Sequence, residues 1–340
     1  MEQVTTIGLD IAKHVFQAHG ASATGAVMFR KKLRREQVLA FFADQPRCRV
    51  AMEACASSHH WARAIRDLGH EVRLIPPAYV KPFVKRQKND MADAEAICEA
   101  AQRPTMRFVA VKSEAKQAAA VIFRTRDLLV RQRTQIINAL RGHMGEYGLV
   151  APQGTAHIGT LVALLDEPGS VPEAARSCLF RLVEMLRGLQ SEIEALDREI
   201  ASRAKTDDVA RRLMTVPGIG PLIATAIEAL APPPETFRSG RDFAAWLGLT
   251  PRQKSTGGKE RLGRTSRMGE RTLRRLLIIA ASGVVRWAKR KGVPPGTWLA
   301  RMLARKPPML VIVALANKNA RVAWALITTG EVYRAPAVAA

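Results

Sequence analysis

The chain has 340 residues, 47% of them hydrophobic and 24% charged. That balance suits a folded globular protein of two or three domains and excludes a disordered tail. Its 53 Lys+Arg against 30 Asp+Glu leave a formal net charge of +23, far more than solubility requires. A polyanionic partner is implied, with nucleic acid ahead of an anionic membrane. The segment MEQVTTIGLD carries neither a signal-peptide nor a myristoylation pattern, and no uninterrupted apolar stretch reaches membrane-spanning length. Cys48, Cys55, Cys98 and Cys178 lack CxxC spacing, so neither a zinc site nor a disulfide framework is expected, and a reducing cytoplasm fits. Aromatic residues make up only 5%, which favours phosphate contacts over extensive base stacking.

The first hundred residues alternate strand-like and helix-like patterns. VTTIGLDIA (Val4–Ala12), HVFQAHG (His14–Gly20) and AVMFRKK (Ala26–Lys32) are short runs of β-formers separated by turn residues, and they predict a three-stranded meander. REQVLAFFADQ (Arg35–Gln45) has helical spacing, and RVAMEA (Arg49–Ala54) reads as a buried strand. HHWARAIRDLG (His59–Gly69) is a helix stopped by glycine, and EVRLIPP (Glu71–Pro77) a strand ended by proline. Three antiparallel strands followed by helix, strand, helix, strand is the order of a ribonuclease-H-like domain. Helical patterns resume from Asp90 to about Arg103 and from Ser113 to about His143.

A different region follows GLVAPQG. Leu179, Leu182, Leu186, Leu189, Ile193, Leu196 and Ile200 recur at alternating steps of three and four. This heptad seam favours a coiled coil and self-association over an ordinary amphipathic helix packed on its own domain. LMTVPGIGPLIATAIEAL (Leu213–Leu230) joins two helical patterns through Val-Pro-Gly-Ile-Gly. It reads as a helix-hairpin-helix in which Gly218 and Gly220 permit a tight turn and the second helix offers backbone N–H groups to a phosphate; a helix-packing hairpin without DNA contact is the alternative. APPPETF is a rigid connector. Helices are expected from Glu270 to about Lys289, over Thr297–Ala304 and from Met309 to about Thr328, with Met268, Leu273, Leu276 and Leu277 as core.

Four acids stand out. Asp10 ends the first predicted strand and Glu53 the fourth, both inside otherwise apolar runs, where an unpaired carboxylate needs a partner charge or a metal. In a ribonuclease-H-like sheet those two strands are neighbours. Asp90 and Asp93, in KNDMADAEAI, share one face of a helix; taken alone they equally suit a solvated first turn. Together the four supply hard oxygen ligands suited to Mg²⁺ or Mn²⁺, typically as a pair of ions in phosphoryl-transfer sites. Glu95 and Glu99 read as solvated-face residues, and His59 and His60 as structural or phosphate-contacting.

GLDIAK, MEACASSHHWAR, VKRQKNDMADAEAI, VPGIGP, FAAWLGLTPRQKSTGGKERLGRTSRMGERTLRRLL and ALANKNARVAW together resemble the DEDD transposases of insertion sequence family 110, in particular the 1111 branch, relatives of the Piv DNA invertase. The resemblance runs in order from about residue 5 to 328. It implies a RuvC-like (ribonuclease-H-like) DEDD domain over 1–145, a linker and coiled coil for oligomerisation over 146–206, and a mainly helical C-terminal transposase domain with the helix-hairpin-helix and a catalytic serine over 207–330. Residues 331–340 are expected to be a flexible tail. The fold class is thus α/β plus α. The family's acids match Asp10, Glu53, Asp90 and Asp93. The resemblance further implies a noncoding bridge RNA that pairs with donor and target DNA, and a homo-oligomer, dimeric and tetrameric in the synapse, whose active sites combine domains of different protomers. The serine attacks a DNA phosphate to form a 5′-phosphoserine link, and exchange passes through a Holliday-junction-like intermediate.

A serine hydroxyl is a poor nucleophile without a base or metal to take its proton and cations to stabilise the phosphorane. Lys254, Lys259, Arg261 and Arg264 are near enough in sequence to supply the cations, and Gly257 and Gly258 would let backbone approach a phosphate. Ser255 and Thr256 both align with the family's serine. Ser255 is preferred because a primary alkoxide meets less crowding at phosphorus, with Ser266 as a phosphate contact. The competing functions are a RuvC-type Holliday-junction endonuclease, using the acids and water alone, and a non-catalytic nucleic-acid scaffold.

Overall fold

The structure, a computed structural model, describes residues 3–85 and 89–335. Positions 86–88, inside the VKRQKND motif, and 336–340, the end of the expected tail, lie outside the described residues. The chain divides into two compact units, Met1–Glu114 and Ala115–Ala340.

The first unit is α/β. Its strands are β1 (Thr6–Asp10), β2 (Val15–Ala21), β3 (Val27–Arg34), β4 (Arg49–Glu53) and β5 (Glu71–Ile75); its helices are α1 (Val38–Ala43), α2 (Ser58–Asp67), α3 (Pro77–Val80) and α4 (Asp90–Ala101). The five-stranded sheet runs β3-β2-β1-β4-β5. β1 pairs antiparallel with β2 and parallel with β4, so the first and fourth strands are neighbours. The two-residue period of a strand sends alternate side chains to opposite faces. Ile7 and Leu9 of β1, with Val50 and Met52 of β4, enter one core with Phe42, Trp61 and Ile65. On the other face Ala51 and Ile75 pack against Ala96, Ile97, Ala100 and Ala101 of α4.

α4 begins where Asn89 caps it, its side chain accepting the Met91 N–H at 3.0 Å. It sits unusually close to the sheet because β1 carries Gly8 beneath it. A Cβ at Gly8 would lie 2.2 Å from the Ala94 carbonyl oxygen and 2.5 Å from the Cys98 nitrogen. Cys98 Sγ reaches the Thr6 carbonyl at 3.7 Å, so the helix runs against the direction of β1 and its first turn lies toward Asp10.

The second unit is mostly helical: α5 (Glu114–Gly145), α6 (Ile158–Asp166), α7 (Glu173–Thr206), α8 (Asp208–Leu213), α9 (Pro221–Leu230) and α10 (Gly240–Trp246), then the hairpin strands β6 (Pro251–Gln253) and β7 (Leu262–Thr265), then α11 (Arg271–Lys291), α12 (Trp298–Arg305) and α13 (Pro308–Thr329). The heptad seam of α7 finds a partner inside the chain. Arg126 of α5 grips Asp197 through two bonds of 2.5 and 2.9 Å, and Arg133 donates to Gln190 at 2.8 Å. The two long helices therefore run antiparallel, with Ile137, Leu140 and Met144 packed among Leu179, Val183 and Leu186. α13 is long and apolar enough to cross a membrane by length and composition. Here Val311, Leu315, Ala316, Ala320 and Ala323 are buried in the main helical core, and Lys318 and Arg321 interrupt its apolar sequence without breaking the helix.

Leu273, Leu276 and Leu277 are core as expected, but Met268 is 58% exposed. It lies in a loop between Arg267, at φ 56°, and Gly269, at φ 72°, ahead of the first turn of α11, so no helical period directs it inward. At the C-terminus the Tyr333 N–H donates to Thr215 Oγ1 at 2.9 Å, which docks residues just past α13.

Two glycine substitutions separate close packing from mere helix propensity. Gly8→Ala should cost about 1–3 kcal/mol through overpacking and displace α4. Gly283→Ala, in mid-α11 with nothing within 4 Å of the new Cβ, should be neutral or stabilising by up to about 1 kcal/mol. Urea unfolding checks both; equal stability of the two variants would contradict the close approach.

Candidate active site

Asp10 is the last residue of β1 and lies on the same face as Thr6 and Gly8. The α4 helix pressed onto Gly8 brings its first turn over that strand end, and ligand oxygens of Asp10, Asp90 and Asp93 all lie within 4.8 Å of one another. Glu53 ends the neighbouring parallel strand, one step beyond the Leu9–Met52 pair, on the α4 side of the sheet. It falls outside the mutual 4.8 Å set but is within electrostatic reach of both Asp10 and Asp93.

Crowding perturbs these acids. Burial, then the charges of Asp93, Asp90 and Glu53, push the Asp10 carboxyl up to about 6, against a smaller opposing hydrogen bond from the Ile11 backbone. Burial and Asp93 likewise raise Glu53. Among the described residues no basic side chain contributes to either shift. Two like charges 4–5 Å apart repel by roughly 3.5–4 kcal/mol at an effective dielectric near 20, so the ionised set calls for an opposing charge. A divalent cation fits the donor chemistry: hard carboxylate oxygens, with no histidine or cysteine in the set. Mg²⁺–oxygen distances of about 2.1 Å place ligands within about 4.2 Å of one another, which small side-chain rotations reach from 4.8 Å.

Ser255 and Thr256 belong to the second unit, at the tip of the β6–β7 hairpin. Thr256 and Lys259 exchange backbone hydrogen bonds of 3.3 and 3.0 Å around Gly257 and Gly258, whose φ values of 54° and 76° are both left-handed. Two consecutive positive φ values make a type I′ hairpin turn, which matches the twist of the flanking strands. The paired glycines thus have a conformational reason: nothing lies within 4 Å of a Cβ built on either. The turn fixes a register in which the Lys254 N–H donates to the Arg261 carbonyl at 2.8 Å. Ser255 Oγ then accepts two hydrogen bonds, from Gln253 Nε2 at 3.2 Å and from the Arg261 N–H at 3.3 Å. Both donors leave the hydroxyl hydrogen free for a base, and both favour a developing alkoxide. Lys254, Lys259, Arg261 and Arg264 are exposed around this tip.

Gln253 and the Arg261 backbone escaped the sequence reading, although Gly-Gly between alternating residues is itself a hairpin signal. Gly8 escaped it too; its one trace is the absence of a side chain two positions before Asp10. Gly218 has φ 89° and packs toward Val284 of α11, whereas Gly220 precedes the first turn of α9 with open space around it. His59 Nδ1 accepts the Lys112 N–H at 3.2 Å, a structural bond. Glu99 pairs with Arg103 at 2.7 Å. Glu95 is not simply solvated: it bridges Arg30 at 3.2 Å and Lys85 at 2.5 Å, because its position on α4 faces basic residues of β3 and of the segment before the helix. Ser266 is held through its backbone, its N–H donating to the Thr250 carbonyl at 2.8 Å.

Residues 7–148 match the family model DEDD_Tnp_IS110, described as "Transposase", and residues 210–292 match "Transposase IS116/IS110/IS902 family". A "Probable family 20 transposase" of Pseudomonas aeruginosa is 48% identical over 334 residues, covering 97% of this chain and 99% of its own. The "Transposase for insertion sequence element IS1328" of Yersinia enterocolitica is 40% identical, over 98% of this chain and 99% of its own. The "Transposase for insertion sequence element IS1111A" of Coxiella burnetii is 37% identical, over 98% and 92%.

The raised Asp10 carboxyl has a measurable consequence. Folded, it keeps its proton to about pH 6; unfolded, it loses it near 3.8. Between those values the folded chain binds more protons, so stability falls as pH rises. In the absence of divalent cations the melting temperature should therefore decline from about pH 4 to about pH 6, less steeply in Asp10→Asn. Saturating Mg²⁺ near neutral pH should raise the melting temperature of the wild type and not of Asp10→Asn. A wild-type melting temperature indifferent to Mg²⁺ would contradict the site.

Proposed function

The chain belongs to the IS110/IS116/IS902 family of insertion-sequence transposases, and from that premise we propose that it cuts and rejoins DNA through a covalent Ser255 intermediate directed by a bridge RNA. As a DNA transposase it acts on DNA strands and uses divalent metal, in keeping with its acidic cluster. The observation that carries the mechanistic reading is the convergence of Asp10, Asp90 and Asp93 within 4.8 Å, with Glu53 on the adjoining strand end.

Asp10, Asp90 and Asp93, with Glu53 beside them, would hold Mg²⁺ or Mn²⁺, by the number of carboxylates a pair of ions. When bound, the metal neutralises charge on the reacting phosphate and lowers the pKa of an oxygen coordinated to it. Ser255 Oγ attacks phosphorus, forming an Oγ–P bond as its proton leaves to a base. The bond from phosphorus to the 3′ oxygen breaks, and that oxygen leaves as a 3′-hydroxyl after taking a proton. Attack of a 3′-hydroxyl on the phosphoserine reverses the step and rejoins a strand, so bond energy is conserved through the exchange. Gln253 and the Arg261 N–H orient Ser255 and stabilise its developing charge. Thr256 has no such donors to its side chain among the described residues, which supports Ser255 as the nucleophile. Lys254, Lys259, Arg261 and Arg264 offset charge on the phosphorane.

The sheet order supports a RuvC-like assignment for the N-terminal unit. The turn between α8 and α9, with Gly218 and Gly220, is taken as a helix-hairpin-helix phosphate contact. Assembly into a dimer, and a tetramer in the synapse, belongs to the same reading. Since α7 spends its Leu179 and Leu186 knobs on α5, such assembly would use the partly covered Leu182, Leu189 and Leu196. A DNA substrate implies a cytoplasmic setting.

The test is a denaturing-gel assay for a protein–DNA adduct with element DNA, its flanking noncoding RNA and Mg²⁺. Ser255→Ala should lose adduct and cleavage by on the order of a thousand-fold or more, Asp10→Asn likewise, while Thr256→Ala keeps the adduct. Cleavage that survives Ser255→Ala but not Asp10→Asn would replace this reading with a water-using junction endonuclease. Adduct lost in Thr256→Ala alone would move the nucleophile by one residue, and cleavage indifferent to Asp10→Asn would remove the acids from the chemistry.

A further inference from the structure

The second unit contains a cleft of ≈ 1280 Å³ between the base of the β6–β7 hairpin, the start of α10, α12 and one face of α13. α13 uses two of its sides. One is apolar and in the helical core; the other, at Leu310, Ala314, Asn317, Arg321 and Ala325, follows the helical step of three and four, mixes apolar with polar side chains and lines the cleft. That second face explains why only 44% of its membrane-like window is buried.

Four basic side chains, Arg241, Arg264, Lys318 and Arg321, line the cleft, and among the described residues no Asp or Glu does. Among the described residues none of the four has a carboxylate partner. Lys318 Nζ lies over the Trp298 ring at 4.7 Å from its centroid. Burial, then the charges of Arg301 and Arg321, pull the Lys318 ammonium below its ordinary pKa. Cations gathered on partly apolar walls without an acid are costly to the free protein, and an anion with apolar parts offsets that cost. The remaining walls are largely apolar, with Trp298, Leu310 and Val313 prominent. Duplex DNA presents chiefly sugar and phosphate, whereas an unpaired strand offers phosphates to the cations and base faces to the apolar wall. The volume exceeds that of an ordinary small-molecule pocket, which suits a groove followed by several nucleotides.

We propose that this cleft binds a single nucleic-acid strand, with phosphates on Arg241, Lys318 and Arg321 and bases against the α12–α13 wall. Because Gly263, Arg264 and Thr265 of β7 form one wall, the bound strand leads to the hairpin that carries Ser255. The proposal rests on the reading of the chain as a transposase that opens DNA, but not on the identity of the nucleophile.

Fluorescence anisotropy with full-length protein tests it, using single-stranded DNA, single-stranded RNA, an abasic strand and a duplex of equal length. Arg241→Ala/Arg321→Ala and Lys318→Ala should each weaken single-strand binding by about tenfold or more. The double variant should also shallow the salt dependence by about 1.4 in log–log slope. The control Arg187→Ala/Arg203→Ala, which removes the same charge from α7, should change affinity by less than about twofold. The abasic strand should bind the wild type about fivefold or more weakly than the normal strand. A larger loss for DNA or for RNA names the strand that occupies the cleft. Circular-dichroism melting confirms that the variants are folded. Unchanged single-strand affinity in the cleft variants, an equal loss for the duplex, or displacement of the strand by an acidic peptide at equal charge would each overturn the proposal. Ser255→Ala should bind the strand like the wild type. Intact cleft binding without any adduct would therefore overturn the phosphoserine step alone, and intact adduct chemistry in the cleft variants with undiminished binding would overturn the cleft alone.

Discussion

The carboxylates of Asp10, Asp90 and Asp93 converge within 4.8 Å of one another, so that charging Asp10 there is opposed by burial and by its acidic neighbours, and the fold of the first unit is arranged so that they must meet. Gly8 has no side chain, so α4 settles onto β1 with Ala94 and Cys98 directly over it. The helix's small residues, Ala94, Ala96, Ala100 and Ala101, permit the same closeness along its length. β1 and β4 then deliver Asp10 and Glu53 to one end of two adjacent parallel strands. The repulsion is a local cost that burial of Ile97 and its neighbours offsets in the free protein and that a divalent cation converts into attraction.

The hairpin of the second unit applies a different constraint to a similar end. Gly257 and Gly258 adopt left-handed conformations that a side chain would resist, and the turn they form sets which atoms face Ser255. Its hydroxyl is held as an acceptor of two hydrogen bonds rather than waving from a loose loop. The surrounding basic groups outnumber Glu260 and give the tip a net positive charge. The cleft beside the hairpin base extends that field along α13, whose Lys318 and Arg321 line it while the opposite, apolar face packs in the core.

Much of this was legible in the sequence. Strong alternation in TIGLD, RVAME and EVRLI located three strands within a residue or two, and the placement of acids at the ends of such runs singled out Asp10 and Glu53 as candidates. Asp90 and Asp93 were legible only in company, because the same pair equally decorates an N-terminal helical turn. What stayed hidden depends on long-range pairing. The heptad of α7 states that it needs a partner without saying that α5 of the same chain supplies one. Glu95 looked solvated because its partner Arg30 comes from a strand distant in sequence and Lys85 from the irregular segment before the helix, where no helical spacing links them. Met268 looked like core because its exposure follows from two left-handed residues around it, which no hydrophobic pattern encodes. The glycine pair was read as room for phosphate where backbone conformation is the stronger reason.

The dependence of catalysis on the carboxylate cluster is tested most directly by titrating Mn²⁺ into the full-length protein under calorimetry, comparing Asp93→Asn with Glu95→Gln. Both remove one negative charge from α4, but only Asp93 belongs to the converging set, while Glu95 is engaged with Arg30 and Lys85. Loss of Mn²⁺ binding in Asp93→Asn with wild-type affinity in Glu95→Gln is the expected result. Equal affinity in the two variants and the wild type would show that the cluster holds no metal.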